Sequence, residues 1–214
     1  MTRATLFLAL HLALLSGHSL GLPEPIQQAA ATGKVVLLTG GAGFIGSHVA
    51  EALLARGDQV AIVDEVNDYY DVRLKRANLA LLQAGWGPDR LRIYIGDISN
   101  KGFMEPVFKK ERPGWVVHLA ARAGVRPSIE DPLIYVHSNV KGTTLLLELA
   151  RHYNNKHFVF ASSSSVYGGL AKELFSETDQ VDAPISPYAA TKKSCELIGE
   201  STRTTPCKQT DRVG

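Results

Sequence analysis

Cysteine is scarce in this sequence: Cys195 and Cys207 are the only two among 214 residues, and both lie late in the chain. They are too few to staple the fold, and they say little about redox compartment. Charge of either sign is nearly cancelled, with 23 lysines and arginines against 21 carboxylates and a formal net charge of +2. No basic run exceeds "FKKER" or "RLKR", which excludes the electrostatic footprint of a nucleic-acid partner. Internal repeats and low-complexity tracts are absent as well, which leaves a plain globular architecture. A bilayer-spanning run is also missing. The stretch "ATLFLALHLALLS" after Arg3 is apolar but short of the ~20 residues a membrane helix takes.

That stretch has the length of a signal-peptide core, and "SGHSLG" followed by "LPEP" supplies small residues for cleavage and then a linker. A short signal-anchor, an organellar presequence and an amphipathic packing helix fit the same residues. Residues 1–33 are therefore expected to lie outside the fold. The location is either the secretory pathway (endoplasmic reticulum or Golgi) or the cytoplasm, with membrane contact only through this segment if it stays uncleaved. A content of 45% hydrophobic and 21% charged residues suits a soluble chain with one good core.

From Lys34 onward, short apolar runs alternate with helix-length segments. "VVLLTG", "VAIVD", "LRIYIGD", "WVVHLAA" and "HFVFASSS" predict buried strands, the pattern of a parallel sheet covered on both faces. Ile45, Val49, Leu53 and Leu54 recur at helical spacing, and Gly57 after Arg56 marks the helix end. "NVKGTTLLLELARHY" predicts a second amphipathic helix. The fold class is doubly wound α/β, Rossmann-like, with ligand expected beyond the carboxyl ends of the strands.

Between the first strand and the first helix stands "TGGAGFIG", and that setting turns a weak glycine pattern into a phosphate-binding one. Gly40 or Gly41 permits the tight turn, Gly43 lets the backbone approach a pyrophosphate, and Gly46 lets the helix lie close on the sheet. Phe44 and Ile45 open that helix, whose N–H groups and dipole favour negative charge. Asp64 ends the second strand, where a carboxylate accepts hydrogen bonds from an adenosine ribose and repels a 2′-phosphate. Glu65 adds to that repulsion, so NAD is expected rather than NADP. Asp97, with Ile98 beside it, ends the third strand. Asp97 meets the adenine amino group or, alternatively, Asp97 or Ser99 caps a helix. No metal is expected.

Downstream, "SPYAATKK" places Pro187 at a helix start, with Tyr188 and Lys192 four residues apart on one face. A phenol loses its proton near pH ~10, but a cation one turn away and a helix N-terminus both stabilise phenolate. Tyr188 is thus a candidate acid or base. "FASSSSVYG" puts hydroxyls at the same sheet edge.

Taken in order, "TGGAGFIG", "HLAARAGVR", "FASSSSVYG" and "SPYAATKK" resemble the extended short-chain dehydrogenase/reductase family of NAD-dependent epimerases and dehydratases. "NDYYD" after Asp64 and "AGVRPSIEDP" are similar to its UDP-glucuronate 4-epimerase branch. The resemblance covers about residues 34 to 200. It implies Ser163, Tyr188 and Lys192 as catalytic residues and Asn139 as the asparagine supporting them. It also implies Asn67 near the ribose, and the backbone of Leu119, Ala120 and Ala121 beside the cofactor. The reaction it implies is proton removal from the sugar C4 hydroxyl by tyrosinate with hydride transfer to NAD, rotation of the 4-keto sugar, and hydride return to its other face. Dehydratases and uronate decarboxylases of the family place acidic residues immediately after the catalytic hydroxyl. Here Ser164 and Ser165 stand there, which favours epimerisation. Arg126 or Arg122, with Ser164, would touch a UDP-sugar carboxylate or diphosphate, an ordinary surface ion pair being the alternative for either arginine. The resemblance leaves room for a homodimer.

The family pattern continues with a sixth strand and a smaller domain that holds the UDP-sugar. This sequence ends instead in "STRTTPCKQTDRVG", polar and without a strand, so residues 34–200 are expected to form the NAD-binding domain and residues 201–214 a tail. That ending suggests a truncated isoform, an incomplete gene product or a fragment. Two activities are therefore carried forward, an epimerase impaired by truncation and a non-catalytic NAD-binding module.

Overall fold

The computed structural model describes residues 29–204. The N-terminal apolar stretch and the tail from residue 205 lie outside the described residues, and so do the expectations of targeting and of a polar ending that rest on them.

Five strands form one parallel sheet: β1 (Val35–Thr39), β2 (Gln59–Asp64), β3 (Leu91–Ile95), β4 (Trp115–His118) and β5 (His157–Phe160). Their spatial order is β3-β2-β1-β4-β5, with every pair parallel. The order reverses direction between β1 and β4, the switch point at whose carboxyl ends an open α/β sheet takes its ligand. Both faces of the central strands are buried, as the unbroken apolar runs require. On β1 and β2, Leu37, Ala61 and Val63 point into one core with Met104, Phe108 and Leu146, while Leu38, Val60 and Ile62 point into the other with Leu54, Leu79 and Leu82. The two-residue period of a strand separates the sets.

The helices that cover these faces are α1 (Phe44–Arg56), α2 (Val72–Gly85), α3 (Lys101–Glu111), the short α4 (Val125–Glu130) and α5 (Pro132–Tyr135), α6 (Gly142–His152) and α7 (Pro187–Thr204). A π-helical turn, Val136–Lys141, joins α5 to α6, and a 3-10 turn, Ser164–Tyr167, follows β5.

Three sequence expectations shift. Ile45 is 65% exposed and leaves the expected stripe of α1, whereas Leu54 is buried with Val49 and Leu53 packed against the same core, and Gly46, Ser47 and Ala50 complete the buried face. The segment "NVK" belongs to the π turn, and the α-helical part of that region starts at Gly142. Strands at the sheet margins are not fully buried: Ile95 on β3 and Val159 on β5 are more than half exposed, because β3 and β5 each have one neighbour among the described residues. Thr32 donates its amide to Gly57 O (3.0 Å) and its hydroxyl to Asp58, which fastens the chain before residue 33 to the end of α1, and α7 continues through Thr204. Gly57 ends α1 in the left-handed conformation, as its position implied.

Candidate functional site

The glycine turn is shaped by contacts that admit no side chain. Gly40 has φ +74°, and a Cβ there would meet the backbone N of Ala120 at 2.6 Å. Gly40 is therefore the residue that makes the turn, whereas a Cβ on Gly41 would strike Ile62 of β2. A Cβ on Gly46 would sit 2.0 Å from Gly40 O. Gly46 thus serves close packing of the helix on the turn, rather than on the sheet. Gly43, the N-cap of α1, offers no side-chain hydrogen bond to the helix, so the first-turn amides of Phe44 and Ile45 are left for a ligand. An uncapped helix start above a side-chain-free cradle suits a pyrophosphate.

Asp64 braces this turn. Its Oδ2 accepts the amide of Ala42 (3.0 Å) and its Oδ1 that of Val66 (2.8 Å). Each oxygen retains a lone pair for a ribose hydroxyl. Asn78, which the sequence reading missed, donates to Ala42 O (2.9 Å) from α2 and holds the same loop from the other side. Asn67 lies beside Asp64, with its side-chain oxygen accepting from Lys75 Nζ (2.9 Å) and from the Tyr69 amide (3.2 Å). Burial lowers the pKa of Lys75, and the charge of Arg122 works in the same direction against the raising effect of Asp64. Arg122 is mostly covered, lies over the Tyr69 ring at 4.9 Å and stands 3.8 Å from Glu65. Its guanidinium is therefore engaged by Tyr69 and Glu65, in the loop that follows Asp64.

At the end of β3, Asp97 takes neither helix-capping role. The N-cap of α3 is Asn100, whose side chain accepts from Phe103 N. Asp97 instead accepts the amide (2.8 Å) and hydroxyl (2.7 Å) of Ser99 and pairs with His137 Nε2 (2.8 Å). Burial opposes ionisation of this carboxyl, but those hydrogen bonds outweigh it and hold its pKa below the ordinary value. The Ile98 side chain is buried in the core against α6, so only its backbone is placed for a cofactor.

The loop after β4 is pinned from two directions. Leu119 N donates to Thr39 O (3.1 Å) and Ala120 N to Thr39 Oγ1 (3.2 Å), which ties Leu119, Ala120 and Ala121 to the end of β1. Asn139 projects from the π turn. Its Oδ1 accepts Arg122 N (2.8 Å), and its Nδ2 donates to Arg122 O (3.0 Å) and to Thr191 Oγ1 on α7 (3.0 Å). π-helical bulges often mark functional sites, and this one carries a buried amide that joins the loop to α7. Beneath the loop, His118 bridges Thr39 Oγ1 (2.6 Å) and Thr143 Oγ1 (2.9 Å). Complete burial, helped by the charge of Lys192, drives its pKa down to about 3 and keeps the imidazole neutral.

Helix α7 starts where Pro187 fixes φ and Ser186 Oγ accepts the amide of Ala189 (3.1 Å). Tyr188 and Lys192 are both buried on its inward face. Lys192 Nζ donates to Ala161 O (2.8 Å) at the end of β5, two residues before Ser163, and burial lowers its pKa. Ser163 opens the 3-10 turn, its Oγ accepting Ser165 N (3.2 Å), and that turn packs on α7. The carboxyl edge of the sheet and the first turns of α7 thus carry Ser163, Tyr188 and Lys192, the three residues the family resemblance implies as catalytic. Ser164 and Arg126 are exposed and make no hydrogen bond or ion pair with α7; among the described residues Arg126 has no ion pair at all, so the surface-pair alternative does not hold for it. Two further residues escaped the sequence reading. Ser128 accepts the Tyr188 amide (3.1 Å), and Tyr135 sets its ring edge-on to Tyr188 at 6.1 Å. No periodicity or motif in "RPSIEDPLIY" announces either contact.

Residues 37–206 match the family model described as GDP-mannose 4,6 dehydratase. The chain is 48% identical over 179 residues to UDP-glucuronate 4-epimerase 4 of Arabidopsis thaliana, covering 82% of this chain and 40% of that relative. Among solved structures it is similar to the UDP-Glc/GlcNAc 4-epimerase of Campylobacter jejuni (TM-score 0.72, 28% identity, 79% of this chain and 49% of that one). It is also similar to the UDP-glucose 4-epimerase of Thermus thermophilus, crystallised with NAD (TM-score 0.66, 37% identity, 79% and 52%). The chain spans about half the length, or less, of the curated relatives it matches.

Proposed function

The chain belongs to the GDP-mannose 4,6 dehydratase family, and from that membership we propose that it carries the NAD-binding and proton-transferring half of a UDP-glucuronate 4-epimerase. One observation carries the reading: Ser163, Tyr188 and Lys192 stand at the same carboxyl edge as the glycine cradle, and serines follow Ser163 where a dehydratase of the family needs acids. Gly40, Gly46, the uncapped start of α1 and the free lone pairs of Asp64 fit NAD. NAD held there would supply the acceptor and donor of the hydride exchanged with the sugar C4. Tyr188 Oη removes the proton of the C4 hydroxyl and gives it back after the keto sugar has turned. Lys192, with donors left beyond the one spent on Ala161 O, stabilises the phenolate from the buried side. Ser163 holds the C4 oxygen by hydrogen bond, and Asn139 keeps α7 and the loop at Arg122 in register.

A second reading, a non-catalytic NAD-binding module, is favoured by the exposure of Arg126 and Ser164, which no second domain encloses among the described residues. Catalysis depends on holding C4 against the cofactor, and an ångström of misplacement costs ~100-fold. The 214-residue chain alone is therefore expected to convert UDP-glucuronate very slowly, and a fusion to the C-terminal half of a relative much faster. NAD binding without conversion in both forms supports the module. Robust conversion by the chain alone, abolished in Tyr188→Phe, overturns the expectation of weakness and establishes the epimerase.

A further inference from the structure

Tyr188 occupies the second residue of α7, where an amide has no partner within its own helix. The local cap does not reach it, because Ser186 Oγ takes the neighbouring amide, that of Ala189. The amide of Tyr188 is satisfied from a different element, by Ser128 Oγ on α4, sixty residues earlier in the sequence. The Ser128 hydroxyl donates in turn to Val125 O (2.6 Å), and the residue is 0% exposed, so water cannot replace it. The other end of the Tyr188 peptide is held too. Tyr188 O accepts Thr191 Oγ1 (2.7 Å), and that hydroxyl accepts Asn139 Nδ2.

We propose that Ser128 is a positioning residue: its buried hydroxyl caps α7 from outside and fixes the catalytic tyrosine relative to the segment Gly124–Arg126, so that the residues facing substrate and the phenol move as one body. The inference rests on the catalytic reading of Tyr188, and its geometry stands without it. Two features set this contact apart from ordinary helix capping. It fastens the residue bearing the phenol itself, and it joins that residue to the short helix that begins with Val125 and Arg126. Tyr135 completes the mount. Its hydroxyl donates to Ala123 O (3.2 Å) just before α4, and its ring meets that of Tyr188 edge-on.

The test compares Ser128→Ala with Ser186→Ala in the full 214-residue chain carrying labelled tyrosine and amide nitrogen. Both variants lose one capping bond of α7, so a purely structural loss affects them alike. Ser128→Ala is expected to speed amide exchange of Tyr188 on the order of 5- to 10-fold, the factor carried by one ordinary hydrogen bond. It is also expected to weaken the magnetisation transfer between the Tyr188 and Tyr135 rings. Ser186→Ala should speed exchange at Ala189 and leave the ring contact intact. An unchanged ring contact in Ser128→Ala, or an equal loss in both variants, overturns the proposal. Conversion of UDP-glucuronate is followed in parallel in the fusion, where Ser128→Ala should lower kcat about tenfold or more with KM within about twofold. If the parent fusion does not turn over, the epimerase reading fails while the two resonance measurements still decide the role of Ser128. Should Ser128→Ala not fold, Ser128→Thr, which keeps the acceptor, is expected to fold and retain the ring contact, and its loss of that contact overturns the proposal.

Discussion

Replacing His118 by glutamine should remove most of the acid sensitivity of the fold between about pH 7 and about pH 4.5. The imidazole is enclosed between Thr39 and Thr143, and burial with the nearby Lys192 charge takes its pKa from 6.5 to about 3. Thr39 Oγ1 already accepts Ala120 N, an arrangement that suits the neutral tautomer protonated on Nε2. Because the folded value is depressed, the unfolded chain takes up a proton at His118 as pH falls below 6.5 and the folded chain does not. Stability is therefore lost toward acid, at up to ~1.4 kcal/mol per pH unit, until the folded group also protonates near pH ~3. Integrated from about pH 7 to about pH 4.5, the loss is roughly 2.5 kcal/mol, a large share of the stability of an ordinary domain. Native carboxylates with lowered pKa, such as Asp97, act lower in the pH scale, since their unfolded value is 3.8. Urea unfolding at a series of pH values measures the slope. His118→Gln should be less stable than the parent at neutral pH and nearly flat across this window. An equal slope in parent and variant would refute the assignment of acid sensitivity to this imidazole.

Gly46→Ala should destabilise the chain by about 3 kcal/mol and abolish NAD binding, since the added methyl would lie 2.0 Å from Gly40 O; chemical denaturation and a cofactor titration read the two effects. NAD should bind more tightly than NADP, and Asp64→Asn should weaken NAD about tenfold or more by removing ribose acceptors, with equal binding of the two cofactors by the parent counting against Asp64. Lys192→Met should keep or raise the thermal midpoint, because burial disfavours the ammonium and the exposed Ala161 carbonyl can turn to water, while conversion in the fusion is lost. A lowered midpoint would mean that the bond to Ala161 stabilises the fold more than burial of the charge costs.

Local patterns made much of this legible in the sequence. The apolar runs fixed five strands, and the glycines between "VVLL" and a helix located the nucleotide turn, because each depends on residues adjacent in the chain. Tyr188 and Lys192 were visible for the same reason, four apart on one helix. The residues that mount them were not. Ser128 meets Tyr188 across sixty positions, Asn78 meets Ala42 across thirty-six, and His118 meets Thr39 across seventy-nine. Such pairs are set by which elements lie side by side, and no period in the sequence encodes that. The capping alternative for Asp97 or Ser99 does not hold, since aspartate, serine and asparagine all suit such a position and only backbone geometry selects Asn100. Ile45 was misplaced in the buried stripe because it sits in the first turn of α1, where helical spacing alone does not tell an exposed apolar residue from a buried one.

β5 carries a consequence that concerns handling rather than chemistry. It pairs with β4 on one side alone among the described residues, and Val159 stands 59% exposed along it. An open strand edge offers a row of backbone donors and acceptors to any second strand, its own copy included. Encounter between two such edges is second order in protein while folding is first order, so halving the concentration quarters the rate of misassociation but only halves that of refolding. Lys156 stands exposed at the entry to this strand, where its charge discourages self-pairing. Yield on refolding is therefore expected to rise with dilution and to fall with ionic strength, since salt screens the repulsion that Lys156 supplies at that margin.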